Sequence, residues 1–293
     1  MSSSQPLAEH KIDVAGGQLS VFQYGEATKK QILAIHGITS NHLAWQHFAA
    51  HAVKAGYVVY APDLRGRANS NQLPAPFGMK THAADMKAVI DQLKLNSPLV
   101  IGHSMGGFVA IALNHFYPNT VSKVVLIDGG LPLALPPGMT VEQVLPLVLG
   151  PALARLAMTF ESADSYIDYW RAHPAFASGI TPEMVNYIKH DLVGAAPELK
   201  PSTNPDCVNE DSIDLWSSDL IDKALLDLDQ DVVMLRAVRG LQNEPTALYP
   251  EALLDSLKTK YPKVEIRTIS DTNHYDILMS NYGATEIARE ISL

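Results

Sequence analysis

Short apolar runs alternate with helix-patterned segments along most of this 293-residue chain, and this alternation restricts its possible folds most strongly. Apolar runs that are continuous or have period two predict strands, and apolar spacings of three and four predict helices. The predicted strands are Lys11–Val14, Gln18–Tyr24, Gln31–Ile35, Tyr57–Ala61, Leu99–Ile101, Val121–Ile127, Asp231–Val238 and Val264–Ile269. The helices between them are predicted over His42–Lys54, Thr81–Leu95, Met105–Phe116, Ala247–Lys260 and Asp276–Ile291. This order is typical of an α/β fold in which helices flank a mostly parallel sheet.

Residues 131–229 interrupt the alternation, because they contain no convincing strand. Short helices are predicted at Val141–Phe160 (interrupted by Pro146 and Pro151), Ala163–Ala172, Pro182–Leu192 and Ile213–Leu228. Residues 131–230 also carry 15 acidic and only five basic side chains, while the rest of the chain is nearly neutral. We therefore predict an α/β core made of residues 1–130 and 230–293, and an inserted helical cap made of residues 131–229.

The composition excludes several classes of protein. A net charge of −9 disfavours nucleic acids and anionic membrane surfaces as partners. No apolar run reaches the ~18–20 residues of a membrane span. The first ten residues lack the basic and apolar regions of a signal peptide and predict a short disordered lead-in. With Cys207 as the only cysteine, no intrachain disulfide can form, so we expect a cytoplasmic protein.

A serine lies on the predicted turn between a strand and a helix. Gly102-His-Ser104-Met-Gly106 follows the apolar run that ends at Ile101 and precedes the predicted helix. Such a sharp turn pushes the serine hydroxyl out of the sheet, and the glycines leave room for the strained backbone. The motif alone is weak, but its position between strand and helix makes Ser104 a candidate nucleophile. Cys207, in a turn-rich polar segment without a neighbouring base, is not one.

A serine nucleophile needs a base, and the chain offers 11 histidines. His274, in Asn273-His274-Tyr275, is the one that comes late and follows a strand, so we predict that it is the base. Two other histidines, His36 and His103, lie in loops near the serine, where we expect them to shape the turns.

These segments together resemble the α/β-hydrolase fold enzymes. The matching pieces are His36-Gly37-Ile38, Asp63-Leu-Arg-Gly-Arg67, Gly102–Gly106, Val124–Asp128 and Asn273-His274, in family order. The resemblance implies a Ser–acid–His triad and a helical cap after the sixth strand, where residues 131–229 lie. It also implies that the loop from Asp63 to Ser70 braces the region around the nucleophile.

The acid of the triad has two candidates. In most of the family it follows the seventh strand in a Gly-x-x-Asp turn, but here that turn is Gly240-Leu-Gln-Asn243. Asparagine carries no charge that could stabilise an imidazolium. Asp128, after the sixth strand, has the spacing at which some relatives, such as haloalkane dehalogenases, carry their acid. Glu244 is the alternative. We favour Asp128.

The remaining site residues are predicted from what ester chemistry requires. An oxyanion hole needs two backbone N–H donors, for which we predict Ile38 and Met105. Gly37, His103, Trp170 and Met158 are predicted to contact the substrate. Apolar residues of the cap suggest a pocket for an uncharged, medium-sized, hydrophobic small molecule.

The expected function is hydrolysis of a carboxylic ester or lactone, with neither metal nor cofactor. The same fold and triad would also suit a C–C bond hydrolase or a cofactor-free haloperoxidase. A ligand-binding receptor with vestigial hydrolase activity is an alternative of another class. Dehalogenase and epoxide hydrolase chemistry are disfavoured because position 104 is serine and not aspartate.

Overall fold

The computed structural model of the chain describes residues 5–133, 135, 138–216 and 219–293. Its centre is an eight-stranded sheet whose spatial order is β1-β2-β4-β3-β5-β6-β9-β10. The strands are β1 Ala8–Val14, β2 Gly17–Tyr24, β3 Gln31–Ile35, β4 Val58–Pro62, β5 Leu99–His103, β6 Lys123–Ile127, β9 Val232–Ala237 and β10 Val264–Ile269. β2 pairs antiparallel with β1 and β4, and all other neighbours are parallel. The predicted α/β class is confirmed.

Two layers of helices cover the sheet. The helices outside the interval 131–229 are α1 Gln46–Lys54, α2 Gly78–Gln92, α3 Met105–Phe116, α9 Glu251–Lys260, α10 Asp276–Met279 and α11 Asn281–Glu290. Helices α2, α3 and α9 pack in one apolar cluster, and α1, α10 and α11 pack in the other. Successive β3 side chains alternate between them, since Leu33 and Ile35 join the first cluster and Ile32 and Ala34 the second.

The first strand begins earlier than the sequence pattern predicts. Residues 8–10, predicted to belong to a disordered lead-in, form the start of β1 and pair with Val21, Phe22 and Gln23 of β2. Their pattern is not apolar because the strand lies at the edge of the sheet, where the exposed side chains of Glu9 and Lys11 are tolerated. Residues 1–4 lie outside the described residues.

The interval 131–229 is mostly helical, as predicted. It contains α4 Val141–Leu156, α5 Ala163–Arg171, α6 Pro182–His190, α7 Pro205–Trp216 and α8 Asp219–Leu226. We call these helices and their connections the cap segment. It also holds one short antiparallel pair that the sequence did not predict, β7 Leu192–Val193 with β8 Lys200–Pro201.

Helix α4 runs through both of its prolines instead of being interrupted by them. Pro146 and Pro151 remove the hydrogen bonds that the carbonyls of Glu142 and Leu147 would accept within the helix. Both of those residues are exposed, so water can satisfy the carbonyls and the helix continues.

Helices α7 and α8 replace the single predicted helix Ile213–Leu228. Helix α7 begins at Pro205, so Cys207 lies on it and is fully buried, although we predicted a polar loop. The cysteine Sγ donates to the Asn204 carbonyl, and burial raises its pKa to about 12. Ser217 and Ser218, between the two helices, lie outside the described residues. Among the described helices, none has the length and apolar character needed to cross a bilayer.

Candidate active site

Ser104 occupies the turn between β5 and α3 in a strained backbone conformation, with φ 53° and ψ −124°. β5 lies between β3 and β6 in the sheet, and its last residues are buried. The chain must turn sharply to start α3 at Met105, and the positive φ makes that turn. The serine side chain therefore stands at the carboxyl edge of the sheet, where α/β proteins place their sites.

Three glycines permit this turn because they allow backbones to touch. A Cβ on Gly102 would lie 2.1 Å from the Gly106 carbonyl oxygen, and one on Gly106 would lie 2.1 Å from that of Ile35. A Cβ on Gly129 would lie 2.1 Å from the Ser104 carbonyl oxygen. A side chain on Gly102 would push α3 away from β5, and one on Gly106 would push α3 away from the end of β3, which explains physically why both motif positions are glycine.

His274 lies in the loop after β10, and its ring is held by Asp128. His274 Nδ1 lies 2.7 Å from Asp128 Oδ2, and both side chains are buried. Asp128 follows β6, and its other oxygen accepts the Ala237 backbone N–H at 3.0 Å. The contact with Asp128 leaves Nε2 as the ring nitrogen available for proton transfer.

Glu244, the alternative acid, folds back on its own turn. It is exposed, and its Oε2 accepts the Gln242 backbone N–H at 2.6 Å. Within the described residues it makes no hydrogen bond to His274. Asn243 accepts from Arg239 Nε at 2.7 Å and lies 3.3 Å from Asn273 Nδ2, so it supports the loop beside His274 rather than the ring.

The two expected oxyanion donors lie on either side of Ser104. Ile38 follows β3 in the segment His36-Gly37-Ile38, and Met105 is the first residue of α3. Neither backbone N–H donates a hydrogen bond to any described residue. A Cβ on Gly37 would be 3.2 Å from Ser104 Cβ, so this loop packs directly against the serine. The N–H of Met105 also benefits from the positive end of the α3 dipole.

Arg67 braces both sides of this arrangement. Its Nε donates to the Ile38 carbonyl at 2.9 Å, and its Nη2 lies 3.7 Å from Met105 Sδ. Nη2 also pairs with Asp211 of α7 at 2.5 Å, and neither side chain is exposed. Arg67, in the predicted bracing loop, thus connects the cap segment to residues 36–38, which we call the oxyanion segment after their expected role. The connection runs through Asp211, a partner that sequence spacing did not reveal.

The histidines next to the turn are neutral and fixed in one tautomer. His36 Nε2 accepts the Leu64 N–H at 2.9 Å, so its Nδ1 donates to the Gly37 carbonyl at 2.8 Å. His103 Nε2 donates to the His274 carbonyl at 2.8 Å, which anchors the loop that carries the base. Burial lowers the pKa of both His36 and His103 to about 3.

A small cavity lies over the serine. Its volume is about 40 Å³, and Ser104, His274 and His103 line it together with the segment Gly37–Ser40. Side chains of the cap segment form part of its lining, namely those of Leu149, Ala152 and Tyr187. The remaining walls are Ala44, Leu241, Tyr275 and Met279. This cavity is smaller than the medium-sized pocket that the sequence led us to expect.

The other two predicted substrate contacts lie elsewhere. Trp170 lines a neighbouring cavity of about 10 Å³ beside Arg155, and it does not line the cavity that holds Ser104. Met158 follows the end of α4 with 38% of its surface exposed, and it lines neither cavity. Spacing could not reveal either position, because both depend on how the cap segment docks.

One cluster has the residue types of a metal site. Ligand atoms of His42, Asp63 and His190 lie within 4.8 Å of one another. Asp63 Oδ1 contacts the backbone N and ring Nδ1 of His42 at 2.8 and 2.9 Å. Its Oδ2 contacts His190 Nε2 at 3.0 Å and Asn69 N at 3.1 Å. These four contacts satisfy the carboxylate and join helix α6 to the end of β4 without an ion.

Burial by itself raises the pKa of Asp63, but the charges and hydrogen bonds of His42 and His190 outweigh it. The pKa of this carboxyl therefore lies well below its usual range. Asp63 is ionised at neutral pH, and its hydrogen bonds join the cap segment to the core strands.

Comparisons with known proteins find relatives over part of the chain and similar folds over nearly all of it. Protein ABHD8 of Bos taurus is 36% identical over 107 residues, which are 36% of this chain and 25% of that protein. Lipase LipV of Mycobacterium tuberculosis is 32% identical over 143 residues, covering 47% of this chain and 52% of the lipase. The chain thus matches only about a quarter to a half of the length of these curated relatives.

A solved structure, that of E-2-(acetamidomethylene)succinate hydrolase, matches with a TM-score of 0.79 at 19% identity. The match covers 98% of this chain and 99% of that one, and it concerns the fold alone. Residues 30–180, slightly more than half of the chain, match the family model described as alpha/beta hydrolase fold. By this match and by its strand order, the chain belongs to the α/β-hydrolase fold family.

Proposed function

We propose that this protein is a serine hydrolase that cleaves a carboxylic ester or lactone of an uncharged small molecule. The observation that carries the proposal is the meeting of Ser104, on its strained turn, with His274 in one cavity while buried Asp128 contacts His274 Nδ1 at 2.7 Å. Membership of a hydrolase fold family supports hydrolase chemistry in general. The choice of substrate and the role of each residue are our proposal.

In the first half of the reaction, Ser104 Oγ attacks the substrate carbonyl carbon and His274 Nε2 takes the hydroxyl proton. The carbonyl oxygen becomes an oxyanion, which the N–H groups of Ile38 and Met105 stabilise. Asp128 stabilises the imidazolium that forms. The imidazolium then returns its proton to the leaving alcohol oxygen, and the acyl group stays on Ser104.

In the second half, a water molecule attacks the acyl carbon. His274 Nε2 takes a proton from that water, and the same two N–H groups stabilise the second oxyanion. When the bond to Ser104 Oγ breaks, the proton passes to that oxygen and the carboxylic acid leaves. Each half uses one base and one oxyanion hole, which is what this site offers.

The cavity walls support an uncharged substrate. Ala44, Leu149, Leu241 and Met279 are apolar, and the cap segment that covers them is acidic, which disfavours anions. The working place we propose is the cytoplasm, where the reduced thiol of buried Cys207 would persist.

Replacing the serine tests this proposal. Ser104→Ala should lower kcat/KM for p-nitrophenyl esters and simple lactones by about 10⁶-fold, because it removes the attacking oxygen. Initial rates of wild type and variant give the ratio, and circular dichroism checks that the variant is folded. Equal rates for the two proteins, or a wild type inert on the whole panel, would reject hydrolysis of esters and lactones.

A further inference from the structure

The small cavity that holds Ser104 is the feature from which we infer a preference among acyl groups. Its volume of about 40 Å³ is bounded below by Ser104 and above by side chains of α4 and α6, namely Leu149, Ala152 and Tyr187. Leu149 and Tyr187 are buried in the described structure, at 7% and 4% exposure. These side chains therefore form a buried, packed part of the cavity wall, which we call the ceiling.

The size of the cavity limits what can be attached to Ser104. A cavity of about 40 Å³ has room for a few water-sized groups. Pockets that enclose drug-sized ligands measure about 300–1,000 Å³. The space over the serine is smaller by roughly an order of magnitude.

The acyl group, rather than the alcohol, has to fit this space. After the alcohol has left, the acyl group remains bonded to Ser104 Oγ, and a water molecule must stand beside it within reach of His274. With the carbonyl oxygen in the oxyanion hole, this space has to hold the carbonyl carbon, the rest of the acyl chain and the attacking water. We infer that a chain of one or two further carbons fits beside that water. Leu149 is the larger of the two α4 side chains that line the cavity, so we expect a longer acyl chain to meet it.

We propose that the site selects esters of two- or three-carbon acyl groups and that Leu149 sets this limit. The proposal rests on the proposed ester hydrolysis and adds to it the class of acyl group. It places the longer part of the substrate on the alcohol side of the ester bond.

A chain-length series with one leaving group tests the limit. For p-nitrophenyl acetate, butyrate and octanoate, kcat/KM should fall by about tenfold or more from acetate to octanoate. Leu149→Ala removes three carbons from the ceiling and should move the optimum to butyrate. Ala152→Val, on the same helix, makes the cavity smaller and should therefore slow the hydrolysis even of p-nitrophenyl acetate.

Leu147→Ala is the matched control, because Leu147 lies on the same helix with 70% of its surface exposed. It makes the same chemical change in α4 without touching the cavity, so its chain-length profile should equal that of wild type. A wild type that prefers octanoate would overturn the proposal. So would a Leu149→Ala profile that matches Leu147→Ala.

Sulfonyl fluorides separate this proposal from ester hydrolysis itself. Ser104 Oγ attacks sulfur, the S–O bond forms, fluoride leaves, and the hydroxyl proton passes to His274, so labelling needs no turnover. Intact-mass measurements should show methanesulfonyl fluoride reacting about tenfold or more faster than octanesulfonyl fluoride, with the gap reduced in Leu149→Ala. If labelling depends on size but the protein hydrolyses none of the esters, ester hydrolysis is rejected and the size limit stands. If labelling shows no size preference, the size limit is rejected.

Discussion

At the scale of single residues, the contact between Asp128 and His274 fixes the orientation of the ring that we propose as the base. Asp128 follows β6 with a positive φ of 42°, a conformation that turns its carboxylate toward the loop after β10. One oxygen accepts the Ala237 N–H and the other faces His274 Nδ1. An acidic residue is needed here, because a group that only accepts hydrogen bonds keeps the proton on Nδ1 and leaves Nε2 free as a base.

Asp128→Asn should therefore abolish most activity without disturbing the fold. The asparagine oxygen can still accept the Ala237 N–H, but its amide group then faces His274 Nδ1 and favours the wrong tautomer. We expect kcat to fall by about 10⁴-fold, measured with the best ester of the series. Glu244→Gln is the control and should keep nearly full activity, since Glu244 contacts only its own turn. If Glu244→Gln is the inactive variant, the acid has been misassigned.

At the scale of elements, the site is assembled by loops at the carboxyl ends of strands and held by one buried arginine. Arg67 reaches the carbonyl of Ile38 from the loop after β4 and pairs with Asp211 of α7. Asp211 also contacts His82 at 3.0 Å, and Arg67 and His82 hold the pKa of this buried carboxyl low against the effect of burial. The cap segment thus contributes a charge on which the oxyanion segment depends.

Arg67→Met should lower both stability and turnover, for two separable reasons. It leaves the buried carboxylate of Asp211 without its arginine partner, which lowers the free energy of unfolding by about 3–5 kcal/mol. It also removes the hydrogen bond to the Ile38 carbonyl. Adding Asp211→Asn should recover much of the lost stability in urea unfolding while kcat stays low, because the oxyanion segment is still unbraced. A double variant with full kcat would show that Arg67 serves the fold alone.

The predicted elements agree best with the structure where the local sequence pattern and the tertiary packing favour the same backbone conformation. Strand β5, the turn at Ser104 and helix α3 were foreseen because glycine spacing and apolar runs describe that turn locally. The start of α7 and the course of α4 through two prolines were not foreseen. There, docking against the core and solvation of exposed carbonyls outweigh the local preference.

At the scale of the whole molecule, buried neutral histidines couple stability to pH. The pKa of His36 and of His103 is about 3 in the folded protein because burial disfavours the charged ring, compared with about 6.5 for an exposed histidine. Between those values the unfolded chain binds protons that the folded protein does not. The contribution of these two neutral rings to stability is therefore fully present above about pH 6.5 and is lost progressively as the pH falls toward 3.

The free energy of unfolding should accordingly fall by about 4 kcal/mol between pH 7 and pH 5 from these two histidines. Urea unfolding at half-unit steps of pH measures the slope. In His36→Gln this fall should be smaller by the contribution of one ring, about 2 kcal/mol. A free energy that is constant from pH 7 to pH 5 would contradict the buried neutral state of both rings.

The sequence by itself determined the α/β class, the strand–turn–helix at Ser104 and the late position of His274, since each depends on local spacing. It limited the acid to Asp128 or Glu244, and the spacing after the sixth strand favoured Asp128 without showing that it lies beside His274. In the structure it is Asp128 that contacts His274. The strand order places the ends of β6, β9 and β10 side by side, and this order brings the two residues together across 146 positions of sequence. The cavity size also depends on tertiary structure, because Leu149, Ala152 and Tyr187 reach the serine only when the cap segment docks.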